Sequence, residues 1–249
     1  LGGFESAVRA YMADCQAGSC PFTGGVDAGM SQVRDLLDSI DGNHLVASDG
    51  RVLDSATVGT GIAENLYSES LWPDLTEMFG DLLAGDADST FRSADDYNGR
   101  NSDGTYQDNS NDVYSAVTCA EGDLGTDSTD TLGDIPVLKQ KAPTIGDYFG
   151  YDDTFVLDAL CSNWPYPVAD LPTVFDAAGA APIIVIGTSN DPATPYANAV
   201  SLSTQLSSGV LISYEGEGHT IYAQGVSCVD NAVDAYFIDG TVPASDPMC

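Results

Sequence analysis

Positive charge is scarce in this sequence: 7 lysines and arginines stand against 38 aspartates and glutamates, a formal net charge of −31 over 249 residues. A surface of that sign repels polyphosphate, which makes nucleic acid a poor partner. The acidity reads most simply as a heavily solvated surface, and it names no substrate. Long apolar runs are also missing. None approaches the ~20 residues needed to cross a bilayer, so no membrane span is expected. Histidine is limited to His44 and His219, and no Cys-x-x-Cys pair occurs, so neither a metal site nor a cofactor is expected. Absent too is Gly-x-Ser-x-Gly, the turn that exposes a nucleophilic serine between a strand and a helix.

What is present suffices for a core, since 43% of the residues are hydrophobic, too many for wholesale disorder. The six cysteines, Cys15, Cys20, Cys119, Cys161, Cys228 and Cys249, are an even set better explained by disulfides than by metal. Fifteen pairings are open to six cysteines. The expected set is Cys15–Cys20, Cys119–Cys161 and Cys228–Cys249, the last stapling a final helix to the C-terminal tail. Disulfides imply an oxidising compartment, so the protein is expected to be secreted or at the cell surface. Leu1-Gly2-Gly3-Phe4-Glu5 has neither the basic nor the apolar segment of a signal peptide. That fits a secreted protein whose sequence is met downstream of its leader.

Apolar spacing predicts helices over 4–14, 27–40, 57–67 and, most strongly, 71–83. In the last, Leu71, Leu75, Met78, Phe79, Leu82 and Leu83 form one stripe, and Gly85 follows as a stop signal. Such stripes face a core rather than a cofactor. Residues 86–134 are rich in Asp, Ser, Asn, Gly and Thr with few apolar positions, and the pieces 98–104 and 125–130 read as loops. Asp127 and Asp130 do not have the spacing of a calcium loop. Helical spacing returns over 145–160. From Ala180 the pattern turns α/β: an apolar run over 182–188, a helix-like stretch over 196–206, and a second run over 210–214. Two strands cannot furnish a parallel sheet, which typically has about four to six strands covered by helices on both faces. The expected fold class is therefore α/β, the C-terminal part of a parallel sheet whose N-terminal half lies outside this chain.

Each apolar run leads into a residue of catalytic type. The first ends in Ser189-Asn190-Asp191-Pro192, the second in Gly216-Glu217-Gly218-His219-Thr220. In open parallel sheets chemistry sits in the loops beyond the carboxyl ends of the strands. A carboxylate can fix the tautomer and orientation of an imidazole that takes a nucleophile's proton. Asp191 and His219 are the candidates, and Asp before His is the order found in α/β-hydrolases, where a serine precedes both. Each also has a simpler reading. Asn-Asp-Pro is a strong turn signal, and a histidine among glycines can cap backbone groups. Ser189 makes no credible nucleophile, because Asp191 stands where the elbow needs a small residue. Ser19 follows no apolar strand, and His44 lies in a surface turn. The nucleophile is expected upstream of Leu1.

Several of these stretches carry a family resemblance. The Gly-x-x-x-Asp-Pro-x-Thr-Pro pattern of 187–195, the segment Tyr214-Glu215-Gly216-Glu217-Gly218-His219-Thr220, and Ser227-Cys228-Val229-Asp230 resemble the C-terminal region of tripeptidyl-aminopeptidase-like α/β-hydrolases. Those are secreted actinobacterial serine exopeptidases. Phe4-Glu5-Ser6-Ala7 through Cys15, Leu66-Tyr67 with Leu71-Trp72-Pro73, Ala116-Val117-Thr118-Cys119 and Cys161-x-x-Trp164-Pro165 agree. The resemblance implies a helical cap over 1–175, with 176–249 as the C-terminal segment of the catalytic domain. It implies release of short peptides from free N-termini through an acyl-enzyme, with Asp191 as triad acid and His219 as base. The implied partners are an N-terminal portion carrying Gly-x-Ser-x-Gly and a peptide substrate. Without that portion the chain alone is expected to be inactive. Acidic cap residues are candidates for holding a substrate's ammonium group. Trp164 is a candidate to line the cleft, with packing beside a Cys119–Cys161 bridge as an equal reading. An esterase or lipase with the same triad, or a stable non-catalytic fragment, are the other readings.

Overall fold

The structure, a computed structural model, describes residues 1–121, 128–148, 160–167, 174–243 and 246–249, with only the helical course given over 128–134. The chain forms two compact units. One comprises 1–66 and 70–171, the other 67–69 and 172–249.

The first unit is helical: α1 (Gly2–Ala17), α2 (Val26–Asn43), α3 (Ser55–Leu66), α4 (Trp72–Ala84), α5 (Asp88–Tyr97), α6 (Ser110–Glu121) and α7 (Ser128–Lys141). Its core gathers one apolar stripe from each of the early helices, with Tyr11, Leu37, Ile62, Leu75 and Phe79 all inaccessible to solvent. Each such burial contributes about 1.5–3 kcal/mol. Gly85, at φ 84°, closes α4 in the left-handed conformation expected of a helix stop. The buried Glu5 carboxylate accepts the backbone N–H groups of Thr144 (3.1 Å) and Ile145 (3.2 Å), tying the segment after α7 to α1.

Two expectations need correction. The polar stretch 86–134, where apolar spacing predicts no helix, also holds helices, one of which takes in part of the expected loop 125–130. α5 forms because Phe91 and Ala94 face the core while Ser89, Thr90 and Ser93 are small enough to bury beside them. Its partner surface is glycine-rich: a Cβ on Gly61 of α3 would lie 3.2 Å from the Thr90 carbonyl. Close approach of small residues outweighs the poor helix propensity of Asp and Ser. Residues 98–104 are loop, whereas 128–130 open α7 and 125–127 lie outside the described residues. The helical spacing over 145–160 does not give one helix. Residues 143–148 form turns, 149–159 lie outside the described residues, and helix is seen at 160–162.

The second unit is α/β: β1 (Ile183–Asn190), α8 (Tyr196–Gln205), β2 (Gly209–Glu217) and α9 (Ser227–Asp239). The strands pair in parallel from Ile183 with Gly209 to Thr188 with Tyr214. Gly187 lets α8 lie close to the sheet, since a Cβ there would come within 2.8 Å of Ala199 Cβ and of the Tyr196 ring. Elsewhere Ile184, Ile186, Ile212 and Tyr214 pack with Val229 and Val233 of α9. The tail covers the outer edge of β2, where Ser213 N–H donates to the Pro247 carbonyl and Cys249 N–H to the Ser213 carbonyl. Among the described residues no strand pairs with the other edge of β1. The small parallel sheet therefore has the form of the C-terminal part of a larger α/β sheet. Disulfides join Cys15 to Cys20, Cys119 to Cys161, and Cys228 to Cys249. No helix among the described residues is long and apolar enough to cross a membrane.

Candidate active site

β1 delivers Asp191 at its carboxyl end, into a turn held by the side chain itself. Asp191 Oδ1 accepts the N–H groups of Ala193 (2.9 Å) and Thr194 (2.7 Å), and Oδ2 accepts the Thr194 hydroxyl (3.0 Å). Pro192 and Pro195 stiffen this turn, and Pro195 caps α8. The carboxylate is 6% exposed, so these donors replace the water it has lost.

β2 runs further than its apolar core, to Glu217, and delivers His219 opposite Asp191. The apolar pattern places 215–217 in a loop; they are strand. Gly218 has φ +95°, and a Cβ there would lie 2.9 Å from the Tyr67 carbonyl, so only glycine fits the bend. Tyr67 also fixes His219: its carbonyl accepts the His219 N–H (2.8 Å), and its ring stands edge-on to the imidazole, centroids 5.0 Å apart.

The two candidates meet. His219 Nδ1 lies 3.0 Å from both Asp191 oxygens, with Thr194 Oγ1 at 3.3 Å. This contact assigns the ring proton to Nδ1 and leaves Nε2 for proton exchange with a reactant. Ser189 is engaged elsewhere, since its hydroxyl donates to the Gly216 carbonyl (3.1 Å) and accepts the Gly216 N–H (3.0 Å). No cysteine is free.

A cavity of about 540 Å³ opens beside the strand ends, lined by Asn190, Tyr196, Ser213, Glu215, Glu217 and Met248 among others. Burial pushes the Glu217 carboxyl above its ordinary range. The Asn190 hydrogen bond opposes that shift, and the nearby Glu69 carboxylate adds to it. The helical unit has a separate acidic cavity of about 360 Å³ lined by Glu64, Asp74, Glu77 and Asp96, with Arg92 paired to Glu77 at 3.0 Å. Burial, then Asp96, raises the Glu64 pKa.

Trp164 belongs to the helical unit. It follows Cys161 by one turn, its N–H bonding the Cys161 carbonyl (3.0 Å), and its ring stands edge-on to Tyr166 at 5.4 Å. His44 ends α2 in the left-handed conformation at φ 48°. Thr194 and Tyr67 lie in stretches that carry the family resemblance, but sequence reasoning gave neither a role at the site. Thr194 stands within the Asp-Pro-x-Thr-Pro pattern, but nothing in the sequence ties Tyr67 to His219.

Comparison with known proteins bears on the same region. Residues 148–249 match the family described as TAP-like protein. Carboxylesterase B of Mycobacterium tuberculosis is 35% identical over 253 residues, an alignment covering 100% of this chain and 48% of that protein. Serine protease Hip1 of the same organism is 34% identical over 260 residues, covering 99% of this chain and 48% of Hip1. Tripeptidyl aminopeptidase of Streptomyces lividans is 24% identical over 184 residues, covering 74% and 33%. The chain thus spans about half the length of the curated relatives it matches most fully.

Proposed function

We propose that this chain, whose residues 148–249 match the family described as TAP-like protein, is the cap and C-terminal segment of a secreted serine exopeptidase. In this reading residues 1–175 form the cap and 176–249 the end of the catalytic domain. The nucleophilic serine sits on an N-terminal portion corresponding to the length of the relatives that this chain does not span. Three disulfides support an oxidising, extracytoplasmic location.

The observation that carries the proposal is the Asp191–His219 contact at the carboxyl ends of adjacent parallel strands. In the assembled enzyme His219 Nε2 takes the proton of the serine hydroxyl as its oxygen attacks the scissile carbonyl. Asp191 stabilises the imidazolium that forms. His219 then returns the proton to the departing amine, leaving an acyl-enzyme that water cleaves by the same relay. This chain supplies the base and the group that orients it. The nucleophile comes from the N-terminal portion, so the chain alone is expected to be inactive.

The test is to co-express the chain with its N-terminal portion and follow hydrolysis of tripeptidyl amides. Turnover and fluorophosphonate labelling of the serine are expected from the pair, and no labelling from this chain alone. The His219→Ala variant should lose at least ~10³-fold in kcat. Normal turnover in that variant would remove His219 from the mechanism. A second reading, an esterase, is favoured by the relative named carboxylesterase B. Greater kcat/KM on short acyl esters than on tripeptidyl amides would select it.

A further inference from the structure

The parallel ladder does not carry Asp191 and His219 to each other by backbone pairing. Register shifts between Thr188 and Asn190, and pairing resumes only at Asn190 with Glu217, immediately before the two catalytic residues leave the strands. Across that irregularity two side chains bridge the strands. Ser189 Oγ both donates to the Gly216 carbonyl and accepts the Gly216 N–H, and Asn190 Nδ2 donates to Glu217 Oε1 at 2.6 Å.

We propose that the Asn190–Glu217 bridge, supported by Ser189, is a positioning clamp that fixes the spacing of Asp191 and His219. The proposal rests on the reading of those two as the catalytic pair. Asn190 precedes Asp191 directly, and only Gly218 separates Glu217 from His219. Gly218 has no side chain to resist rotation, so the strand end at Glu217 is the last point at which side chains hold the histidine's loop to β1. An amide at 190 suits the task. An aspartate there would set two carboxylates against each other, and an alanine would leave Glu217 without its donor.

The surroundings make the bridge matter more. Glu217 Oε2 is shielded from water and has no hydrogen-bond partner among the described residues, so Oε1 to Asn190 is the carboxyl group's described anchor. Glu69, from the segment 67–69, is a facing charge that acts on Glu217, and Glu215 lies on the same strand. No lysine or arginine follows Lys141 in the sequence, so none within 172–249 competes for Glu217. Burial and Glu69 favour the neutral acid, while Asn190 favours the carboxylate. Charge-assisted hydrogen bonds are the stronger kind. The clamp therefore tightens as Glu217 ionises.

The chain has two histidines, so its imidazole nitrogens give a sparse NMR spectrum in which His219 can be followed directly. In the wild-type chain His219 is expected as the Nδ1–H tautomer, with a slowly exchanging downfield proton. In Glu217→Ala and Asn190→Ala the expected result is loss of that protected proton and mixing of tautomers, while the His44 signals stay in place. Glu217→Gln, which keeps an acceptor for Asn190, should restore the wild-type spectrum. Asn190→Asp should lose the proton at neutral pH and regain it on mild acidification, showing that the fold survives. In the co-expressed enzyme Glu217→Ala should lower kcat by about tenfold or more with little change in KM. A wild-type tautomer and proton in both alanine variants would overturn the clamp while leaving the catalytic pair intact. Absence of the Nδ1 proton in the wild-type chain would overturn both, and only that result would touch the proposed function.

Discussion

A buried carboxylate at the end of a strand can serve structure or chemistry, and the groups around it decide which. Asp191 satisfies its own turn through Ala193 and Thr194 and still presents both oxygens to His219. The turn reading of this residue is thus compatible with the proposed triad role, since the turn aims the carboxylate at His219. Glu217 is the opposite case, a carboxyl whose burial opposes its ionisation. Its folded pKa lies above that of the unfolded chain, so its contribution to stability is full below the ordinary glutamate range. That contribution is lost as pH rises through the raised value. Glu217→Gln removes the ionisation but keeps the Asn190 acceptor. The variant's melting temperature relative to wild type should therefore climb from pH ~4 toward neutrality. Differential scanning fluorimetry across that range checks the sign, and a difference that stays flat or falls would refute it. Asp191 and His219 are legible in the sequence because each ends an apolar run. Tyr67 is not, since its carbonyl meets His219 only through the tertiary fold.

The strand and helix patterns that can be read are those with strong apolar periodicity, such as α4 and the cores of β1 and β2. α5 gives no helix signal in the sequence because its buried face is built mostly from Ser, Thr and Ala, with Phe91 its one large apolar residue. Only the glycine surface of α3 explains why those residues bury. The β2 extension to Glu217 escapes for a related reason: its last residues are held by side-chain bridges, not by apolar burial. Gly187 is the instructive position at this scale. In the sequence it opens a family pattern, and the structure supplies the cause, contact of α8 with the sheet. Gly187→Ala places a methyl group 2.8 Å from both Ala199 Cβ and Tyr196 Cδ2, so α8 must move outward. The same movement loosens the Tyr196–Ser213 hydrogen bond of 2.7 Å. A loss of about 1–3 kcal/mol is expected in urea unfolding, and unchanged stability would mean α8 is not packed as described.

Charge is distributed unevenly along the whole molecule. All 7 basic residues fall between Arg9 and Lys141, leaving residues 142–249 with none. Six of them are committed locally: Arg51 and Arg100 share Asp95, Arg34 and Lys139 share Asp147, Arg9 pairs with Asp27, and Arg92 with Glu77. Most of the 38 acids therefore have no cation nearby, and their mutual repulsion opposes the compact state. Salt acts on attraction and repulsion alike. It weakens exposed pairs worth ~0–1 kcal/mol each, and it screens the repulsion, the Debye length falling from about 30 Å at 0.01 M to about 8 Å at 0.15 M. Close pairs inside a few ångströms lose little over that change, while repulsion among spread carboxylates acts over the distances being screened. Repulsion outweighs attraction here, because acids so exceed bases. The melting temperature is therefore expected to rise as sodium chloride goes from 10 to about 150 mM, the window set by that screening. Most of the gain should come before the upper end, and a fall across the range would show that the local pairs dominate.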